Sequence, residues 1–511
     1  MLLTQGRCEM KQYVMGLDNG GTMTKAALFD LKGNQISAFS AGTPIETPKS
    51  GYTERDMDLL WENNLICMKG AVEHAGINPA DIIGVSVCGH GKGLYAWGRD
   101  GRPAYRGIVS TDTRAWEYTE KWYKNGVFDH IYERICQQLM PCQQAALLAW
   151  LKDHNRDVYD KILWVFSVKD YIRFRLTGEA YCEATDISGS GLLNVRDKVF
   201  DRELLESYGI GEVYEKLAPL KYSHDLCGKL TCEAAERTGL LEGTPVAGGM
   251  FDIDACAIAM DITKPERLCT IAGTWSINEF IAEKPVLHGP VAMNSLFAMP
   301  GYYLLEECSA TSAGNLEWCM DNLIDFSGRQ DGESKYDFLS RQVQSVLPEE
   351  CDVYFLPFLY SSNAHPLGKG SLVGLTTYHK NAHIIRAVYE GVVYSHKTHI
   401  DKLLKVREKP EAIRMAGGVV NSPVWVQMFA DVLGIPIETI KAKELGALGC
   451  AMAATVAAGR FTDYEEAARN MVHVEKKVMP DMEKHKIYLK KFKKYTAVKE
   501  ALDMVWPLFT V

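Results

Sequence analysis

The first strong pattern in the chain is a pair of short apolar runs, 13–17 and 25–29, separated by the polar segment Asp-Asn-Gly-Gly-Thr-Met-Thr at 18–24. Apolar runs of this length bounded by Gly and Asn are typical of strands, so the pattern predicts a hairpin. Adjacent glycines allow positive φ and close approach of a ligand, and successive N–H groups suit a phosphate. We call residues 18–24 the first glycine turn. An ordinary hairpin turn is the alternative interpretation.

The same plan recurs at 267–283, where two β-rich runs flank Gly-Thr-Trp-Ser at 273–276, the second glycine turn. One such hairpin near the start of each half of the chain predicts two similar lobes that present facing turns to one ligand. Clefts between domains are where small-molecule sites preferentially lie.

Between and after the hairpins, apolar spacing changes between helical and strand periods. The predicted strands are 82–87, 108–114, 246–247, 353–359 and 413–416. The predicted helices are 51–74, 145–154, 169–176, 252–259, 314–318, 383–396, 422–429, 449–459 and 475–506. The small polar segment 183–191 either borders a ligand or is a turn. This alternation predicts an α/β protein.

A chain of 511 residues exceeds what one hydrophobic core usually supports, so we expect two domains. Our predicted division is an N-terminal lobe at 13–260 and a C-terminal lobe at 261–511. Residues 1–12 are expected to be a stub outside the fold, either disordered or not native.

Composition removes several classes of partner. A net charge of −9 argues against nucleic acid, which basic patches bind. The weakly polar stretch 449–459 is far shorter than the roughly 20 residues needed to span a bilayer, so no membrane partner is expected. The 14 cysteines show no zinc-site spacing, and several lie inside apolar runs, which favours a reducing cytoplasm.

The strongest catalytic candidate is Asp252, which follows a strand and the pair Gly248 and Gly249 and precedes an apolar helical run. A helix N-terminus helps to keep a carboxylate ionised, so Asp252 is the predicted general base. Asp254 is expected to cap the helix or to support Asp252. Asp18, at the end of the first strand, could hold Mg²⁺ or its water shell.

Further polar groups follow other strands at the edge where open α/β sheets bind ligands. His90 and Lys92 lie among three glycines after the strand at 82–87 and are candidate substrate-binding residues. Asp112 and Arg114 either reach a polyol or pair with each other. In the second half, Gly314 begins a helix, and Gly418 belongs to the third glycine turn, 417–418, where adenosine could lie against backbone. Asn421 or Ser422 is expected to cap the helix that follows.

In this order, these motifs are similar to those of the FGGY family of carbohydrate kinases, over most of the chain from Met10 to about Tyr495. The motifs that carry the resemblance are DNGGTMTK, CGHGKG, GGMFD, GTWS, TSAGNLEW, RAVYEGVVYS and AGGVVNSPVWVQMFADVLG. The resemblance implies a two-lobed hexokinase/actin-like (ribonuclease H-like) ATPase fold with ATP in the interdomain cleft. Neither a Walker loop nor the protein-kinase motif set is present.

The resemblance also implies roles for individual residues. Gly21, Thr22 and Met23 would approach the phosphates, with Lys25 close behind them. Gly273 and Thr274 would approach from the other side, and Gly314, Gly418 and Ser422 would lie near the nucleoside. Asp252 matches the family's catalytic base, and Asp18 would lie near Mg²⁺.

The implied activity is ATP-dependent phosphorylation of the terminal hydroxyl of a ketopentose, with L-xylulose as the first candidate. Members acting on the D-sugar carry Gln-Met-His where this chain has residues 90–92, and Asn where it has Ile253, so we expect a different hydroxyl pattern. Ribulose, 3-keto-L-gulonate and erythritol are the alternative substrates, and an actin- or chaperone-like nucleotide switch is the alternative of another class. The resemblance is compatible with a homodimer.

Overall fold

The computed structural model describes residues 11–291 and 293–509. Most of the predicted stub at 1–12 therefore lies outside the described residues. Within them, no helix has the length and apolar character that crossing a membrane would require.

The N-terminal half contains 15 strands and ten helices within the described residues. The strands are β1 Tyr13–Asn19, β2 Met23–Asp30, β3 Gln35–Gly42, β4 Glu54–Arg55, β5 Ile82–Gly89, β6 Tyr95–Gly98, β7 Gly107–Ile108, β8 Ile162–Phe166, β9 Cys182–Glu183, β10 Leu193–Asn194, β11 Val199–Phe200, β12 Leu220–Lys221, β13 Leu226–Lys229, β14 Pro245–Ala247 and β15 Met250–Phe251. The helices are α1 Met57–Ala75, α2 Trp116–Lys124, α3 Val127–Ile135, α4 Gln144–His154, α5 Arg156–Lys161, α6 Val168–Thr177, α7 Ala184–Ser188, α8 Arg202–Ser207, α9 Cys232–Thr238 and α10 Asp252–Ala259.

The C-terminal half contains nine strands and seven helices within the described residues. The strands are β16 Leu268–Ala272, β17 Ser276–Ala282, β18 Met293–Leu296, β19 Tyr303–Ser309, β20 Tyr354–Leu356, β21 Ser371–Val373, β22 Ile413–Ala416, β23 Ile437–Ile440 and β24 Val474–Val478. The helices are α11 Gly314–Asn322, α12 Lys335–Gln344, α13 Asn381–Leu403, α14 Pro423–Leu433, α15 Leu445–Ala457, α16 Tyr464–Met471 and α17 Met482–Leu502.

Each half is built around a mixed sheet of the same plan. In the first sheet, the antiparallel hairpin β1–β2 continues into β3 on one side, and parallel β5 and β14 follow on the other. In the second, the hairpin β16–β17 continues into β19, and parallel β22 and β23 follow. Both predicted hairpins and the predicted α/β class are confirmed. The repeat of the plan puts one glycine turn at the same place in each sheet.

Two predicted elements of the N-terminal half need correction. The helix predicted over 51–74 begins at Met57, with Asp56 as its N-cap, because residues 54–55 form β4 and pair with β7. The strand predicted over 108–114 is reduced to the two residues of β7. Beyond it, the Asp112 carboxylate accepts hydrogen bonds from backbone N–H groups and closes a turn instead of extending the strand.

The polar segment 183–191, left as a ligand border or a turn, contains the short helix α7. Glu183 starts this helix, since its side chain accepts a hydrogen bond from Thr185 N–H at 3.0 Å. The helix predicted over 475–506 is α17, which begins only at Met482 because residues 474–478 form β24 and pair with β23, and it packs against α14 of the C-terminal half.

The two halves meet through α10 and α15, which pack against each other, and α15 also packs across β1 and β5. The contact is close because small residues face each other, as the Ala-rich sequence predicts. A Cβ at Gly16 would lie 1.8 Å from Ala447 O, and a Cβ at Gly449 would lie 2.0 Å from Ala255 O. Helix α15, which follows the parallel strand β23 of the C-terminal half, is thereby fixed on the sheet of the N-terminal half.

Candidate active site

Three strands of the first sheet end side by side and bring the N-terminal candidates together. In the parallel register Asp18 lies opposite Cys88, which in turn lies opposite Met250. One or two residues further along each strand come the first glycine turn, the His90 loop and Asp252. Because the carboxyl ends of these strands share one edge, residues far apart in sequence converge there.

The first glycine turn presents its tip to the outside. Gly21, Thr22 and Met23 are exposed, and Gly20 N–H donates to Met23 O at 3.0 Å to close the turn. Thr24 does not present its hydroxyl at the tip of the turn. It is buried and within hydrogen-bond distance of Asn19 and Thr43. Successive side chains of a strand point to opposite faces of the sheet, and the side chain of Thr24 in β2 points toward the interior.

Arg55 holds this turn from behind, and sequence reasoning did not single it out. Its side chain is fully buried, and its terminal nitrogens donate to Gly20 O at 3.5 Å and to Gly21 O. Its Nε has no hydrogen-bond partner within the described residues. Because Gly20 N–H closes the turn and the two carbonyls are drawn inward, the N–H groups of Gly21 and Thr22 are the ones left to face a ligand.

We expect Arg55→Met to raise the KM for ATP about tenfold, because hydrogen bonds from a charged donor contribute about 1.5–3 kcal/mol. The midpoint of unfolding should change much less, since a buried guanidinium bonded to neutral carbonyls carries a desolvation cost that methionine avoids. Steady-state kinetics and thermal melting of the same preparation test both parts. A loss of activity in proportion to a loss of folded protein would contradict the assigned role.

Asp252 is the first residue of α10. Burial raises its pKa well above the usual range, and the nearby Asp18 and Asp186 carboxylates raise it further. Its neighbour Asp254 does not cap the helix. The N-cap is Phe251, and Asp254 Oδ1 instead accepts a hydrogen bond from Ala298 N–H of the other half at 3.0 Å. A carboxylate whose charged form is disfavoured is a strong proton acceptor once it is ionised.

Asp18 lies at the point where both halves meet. A Cβ at Gly446, in the first turn of α15, would be 2.8 Å from Asp18 Oδ2. Burial raises the pKa of Asp18, while the ammonium of Lys25 acts in the opposite direction. Lys25 Nζ forms an ion pair with Glu444 Oε2 at 2.9 Å, which ties β2 to the start of α15.

A magnesium ion fits this place by its donor chemistry. Mg²⁺ is usually held by one or two carboxylates together with substrate phosphates and water rather than by a protein cage. Asp18 is such a carboxylate, and no group of three or more His, Cys, Asp or Glu arranged for a metal occurs among the described residues.

The loop at 89–93 sets Lys92 against the ring of Phe251, the residue before Asp252, and turns His90 away. Lys92 has φ of 62°, and its Nζ lies 5.6 Å from the centroid of the Phe251 ring. A Cβ at Gly91 would lie 2.5 Å from that ring, so only glycine fits. Burial acts to lower the pKa of Lys92, but Glu306 and other acidic groups carry it above the ordinary value, so the ammonium stays charged.

The nitrogens of His90 are both engaged within the N-terminal half. Nδ1 is 3.2 Å from Gly91 O, to which it donates, and Nε2 accepts from the Tyr95 hydroxyl at 2.9 Å. Burial, with the charge of Arg55, lowers the pKa of His90 to about 3. The structure thus places a neutral His90 as a support of the loop.

Asp112 and Arg114 pair with each other, which is one of the two outcomes left open by the sequence. Arg114 Nη2 lies 2.8 Å from Asp112 Oδ2 and 2.7 Å from Glu54 Oε1, and both side chains of the pair are fully buried. Asp112 also accepts from Thr53 N–H at 2.6 Å. These contacts join the loop after β7 to β4.

The C-terminal candidates also converge. Ala313 N–H donates to Gly273 O at 2.8 Å, and a Cβ at Gly314 would lie 3.0 Å from Thr274 Cγ2. Gly417 has φ of 95°, and a Cβ there would lie 2.5 Å from the carbonyl of Ala272. The second glycine turn, the start of α11 and the third glycine turn therefore touch one another.

The outer surface of this group is open. Thr274 and Gly418 are exposed, and a Cβ at Gly418 would meet nothing within 4 Å. Ser422 occupies the N-cap position of α14 but makes no side-chain capping bond, contrary to the prediction of a cap by Asn421 or Ser422. The reason is the preceding 3-10 turn, which fixes the chain before the helix begins.

Helix α7 gives the site a further wall. Phe251 N–H donates to Thr185 Oγ1 at 2.8 Å, so the residue before Asp252 is held by this helix. Next to it, Asp186 is buried, and its Oδ2 has no hydrogen-bond partner within the described residues. Burial raises the pKa of Asp186 to about 7, although Lys169 acts in the opposite direction.

Two lobes of one plan, with glycine turns and a desolvated aspartate at the strand ends, define a phosphotransferase of the two-lobed ATPase class. The chain belongs to the FGGY family of carbohydrate kinases. The model of the family's N-terminal domain matches residues 13–259, and that of the C-terminal domain matches residues 268–458.

Individual relatives agree along nearly the whole chain. The L-xylulose/3-keto-L-gulonate kinase of Escherichia coli K12 is 34% identical over 97% of this chain and 98% of its own length. A probable L-xylulose kinase of Pasteurella multocida is 33% identical over 96% of this chain and 99% of its own length. The crystal structure of ligand-bound xylulose kinase from Lactobacillus acidophilus superposes with a TM-score of 0.88 at 25% identity, covering 98% of this chain and all of the other.

Proposed function

We propose that this carbohydrate kinase transfers the γ-phosphoryl group of ATP to the terminal hydroxyl of L-xylulose. The observation that carries the proposal is the convergence of Asp18, the loop that contains Lys92, and Asp252 at the ends of three neighbouring strands. The names of the two bacterial relatives, which match over nearly their full length, support L-xylulose as the acceptor.

In the proposed mechanism the sugar lies between the 89–93 loop and Asp252. Asp252 accepts the proton of the terminal hydroxyl as its oxygen attacks the γ-phosphorus, and the ADP oxygen leaves on the opposite side. Such transfer has a loose transition state, so alignment and charge stabilisation supply most of the rate enhancement. Gly20 N–H and Gly273 N–H close the two glycine turns, and the other N–H groups of these turns would face the phosphates from both lobes.

Asp18 would hold Mg²⁺. The ion would neutralise charge on the phosphate oxygens when bound. The pair between Lys25 and Glu444 keeps the start of α15 against the first glycine turn, so that Asp18 remains positioned. The nucleoside would lie over Gly314, Gly418 and Ser422.

Lys92 favours a second substrate with a carboxylate, such as 3-keto-L-gulonate, because its ammonium is charged and lies against Phe251, the residue before the base. The acidic groups that act on Lys92, Glu306 of the C-terminal half and Asp186 of α7, favour a neutral sugar. We therefore place L-xylulose first.

We expect Lys92→Met to lower kcat/KM for 3-keto-L-gulonate at least tenfold more than for L-xylulose, since a charge-assisted hydrogen bond contributes about 1.5–3 kcal/mol. Both kcat/KM values are measured on the same variant, so their ratio is unaffected by a general loss of active enzyme. Equal decreases of kcat/KM for both sugars would show that Lys92 does not bind the carboxylate.

The proposed reaction takes place in the cytoplasm. The 13 cysteines among the described residues are all free thiols, which suits a reducing compartment.

The function is tested by ADP release with MgATP across L-xylulose, D-xylulose, L- and D-ribulose, 3-keto-L-gulonate, erythritol and glycerol. The expected result is the highest kcat/KM with L-xylulose and little ADP without sugar. A higher kcat/KM with another sugar or polyol of the panel would identify that compound, and not L-xylulose, as the substrate. Equal ADP release with and without sugar would favour a nucleotide switch instead.

A further inference from the structure

A buried histidine on α13 connects the second glycine turn to the start of α11. His396 is fully buried, and its ring lies edge-on to Phe429 with centroids 5.1 Å apart. Its Nδ1 is 3.0 Å from the Ser276 hydroxyl, and its Nε2 is 2.9 Å from the Ser312 hydroxyl. Thr270 Oγ1 and Asn278 Oδ1 also lie 3.0 Å from Nδ1.

The two serines belong to different segments of the site. Ser276 is the last residue of the second glycine turn, two residues after Thr274. Ser312 lies two residues before Gly314, where α11 begins. Both serines are fully buried, so one imidazole ring spans the distance between the two segments from behind.

The ring acts in its neutral form. Burial lowers the pKa of His396 to about 3, and the nearby His399 acts in the same direction. Asn278 Oδ1 can only accept, so its position 3.0 Å from Nδ1 makes Nδ1 the protonated nitrogen, and the same N–H reaches Ser276 Oγ. Nε2 then accepts from the Ser312 hydroxyl, and each nitrogen of the neutral ring has a partner.

The surrounding contacts show why the spacing of the segments depends on this ring. On the outer side they touch through the hydrogen bond from Ala313 N–H to Gly273 O and through Thr274 against Gly314. On the inner side His396 joins them by its two serine bonds. A shift of either segment would break bonds on both sides.

We propose that His396 is a positioning residue that sets the distance between the second glycine turn and the N-terminus of α11, and thereby the affinity for ATP. This inference rests on the proposed function, in which these two segments receive the nucleotide. His396 acts through the serines and does not itself touch substrate.

The test is kinetic, with His396→Ala, Ser312→Ala and the matched control Thr270→Val. His396→Ala is expected to raise the KM for ATP and the Kd for ADP about tenfold and to leave the KM for the sugar within about twofold, because two hydrogen bonds of about 0.5–1.5 kcal/mol are lost. Ser312→Ala is expected to raise the KM for ATP a few-fold. Thr270→Val removes a hydroxyl from the same ring, away from both segments, and should leave that KM unchanged.

The double variant His396→Ala with Ser312→Ala separates positioning from general loosening. Residues that act through one hydrogen bond have non-additive effects, so the double variant should resemble His396→Ala alone. The Asn and Gln variants of His396 keep a polar group near the Nδ1 and Nε2 positions respectively. Each should retain one of the two bonds and give an intermediate KM for ATP, which a side chain with only a packing role would not do.

An unchanged KM for ATP in His396→Ala, with only a lower melting temperature, would overturn the inference. So would equal rises in the KM values for ATP and sugar. If His396→Ala does not fold, the Asn variant and Ser312→Ala carry the same test. A wild-type protein that releases no ADP with any sugar would refute the proposed function, whereas the inference fails only when the wild type is active and the variants match it.

Discussion

Asp252→Asn is expected to lower kcat by about 10²–10⁴-fold, the range that a positioned general base contributes. The amide keeps the shape of the side chain at the start of α10 but cannot accept the proton of the attacking hydroxyl. Asp254→Asn is the matched control. Asp254 lies on the same helix and is fully buried, and its Oδ1 accepts from Ala298 N–H, a bond that the amide oxygen reproduces. This control should keep most of the activity.

The pH dependence provides a second readout of the same residue. Because burial, Asp18 and Asp186 raise the pKa of Asp252, the wild-type kcat/KM is expected to fall as pH is lowered through that raised pKa, where the base takes up a proton. The Asn variant should lack this acidic limb. Sugar-dependent turnover in Asp252→Asn close to that of the wild type would remove Asp252 as the base.

Gly16→Ala is expected to lower both stability and activity. The new Cβ would lie 1.8 Å from Ala447 O and 2.9 Å from Ala447 Cα, so the backbones of β1 and α15 must separate. Overpacking usually costs about 1–3 kcal/mol, and a clash with backbone falls at or above the upper end of this range. Activity should fall as well, because Asp18 lies two residues further along β1 and Gly446 of α15 packs on its carboxylate.

Gly42→Ala is the matched control, since Gly42 lies at the end of β3 and a Cβ there would meet nothing within 4 Å. Denaturant unfolding and steady-state kinetics of both variants supply the comparison. Equal stability of the two variants would show that α15 is not held against β1 as the structure describes.

The sequence was sufficient where local patterns determine structure. Apolar runs around glycine turns identified both hairpins, and a strand followed by two glycines placed Asp252 at a helix start. It was also sufficient for the shared strand edge, because parallel strands of one sheet bring their following loops together. The duplication of the sheet plan follows from the repeat of the hairpin in each half.

Long-range pairing explains what the sequence alone did not supply. Arg55 falls inside the helix predicted over 51–74, yet the pairing of β4 with β7 buries it behind the first glycine turn. The helix start at Met57 was missed for the same reason. His396 looks like one more position of an amphipathic helix, and its partners come from three segments more than 80 residues away.

The candidate polar residues differ in which groups interact with their side chains. Asp112 and His90 have partners within the N-terminal half, at Arg114 and Tyr95 respectively. The pKa values of Lys92 and Asp252 are instead set by burial and by surrounding carboxylates, among them Asp186 of the N-terminal half and Glu306 of the C-terminal half. Spacing in the sequence cannot separate these cases, because it does not show which partner lies opposite each side chain.

The central claim is that phosphate is transferred to a sugar hydroxyl and not to water. Phosphorus NMR of a reaction with MgATP and L-xylulose tests it most directly, because it identifies the product. The account predicts ADP with an equal amount of a phosphate monoester whose signal is split by the two protons of the terminal carbon. ADP accompanied by inorganic phosphate alone, in the presence and absence of sugar, would contradict it.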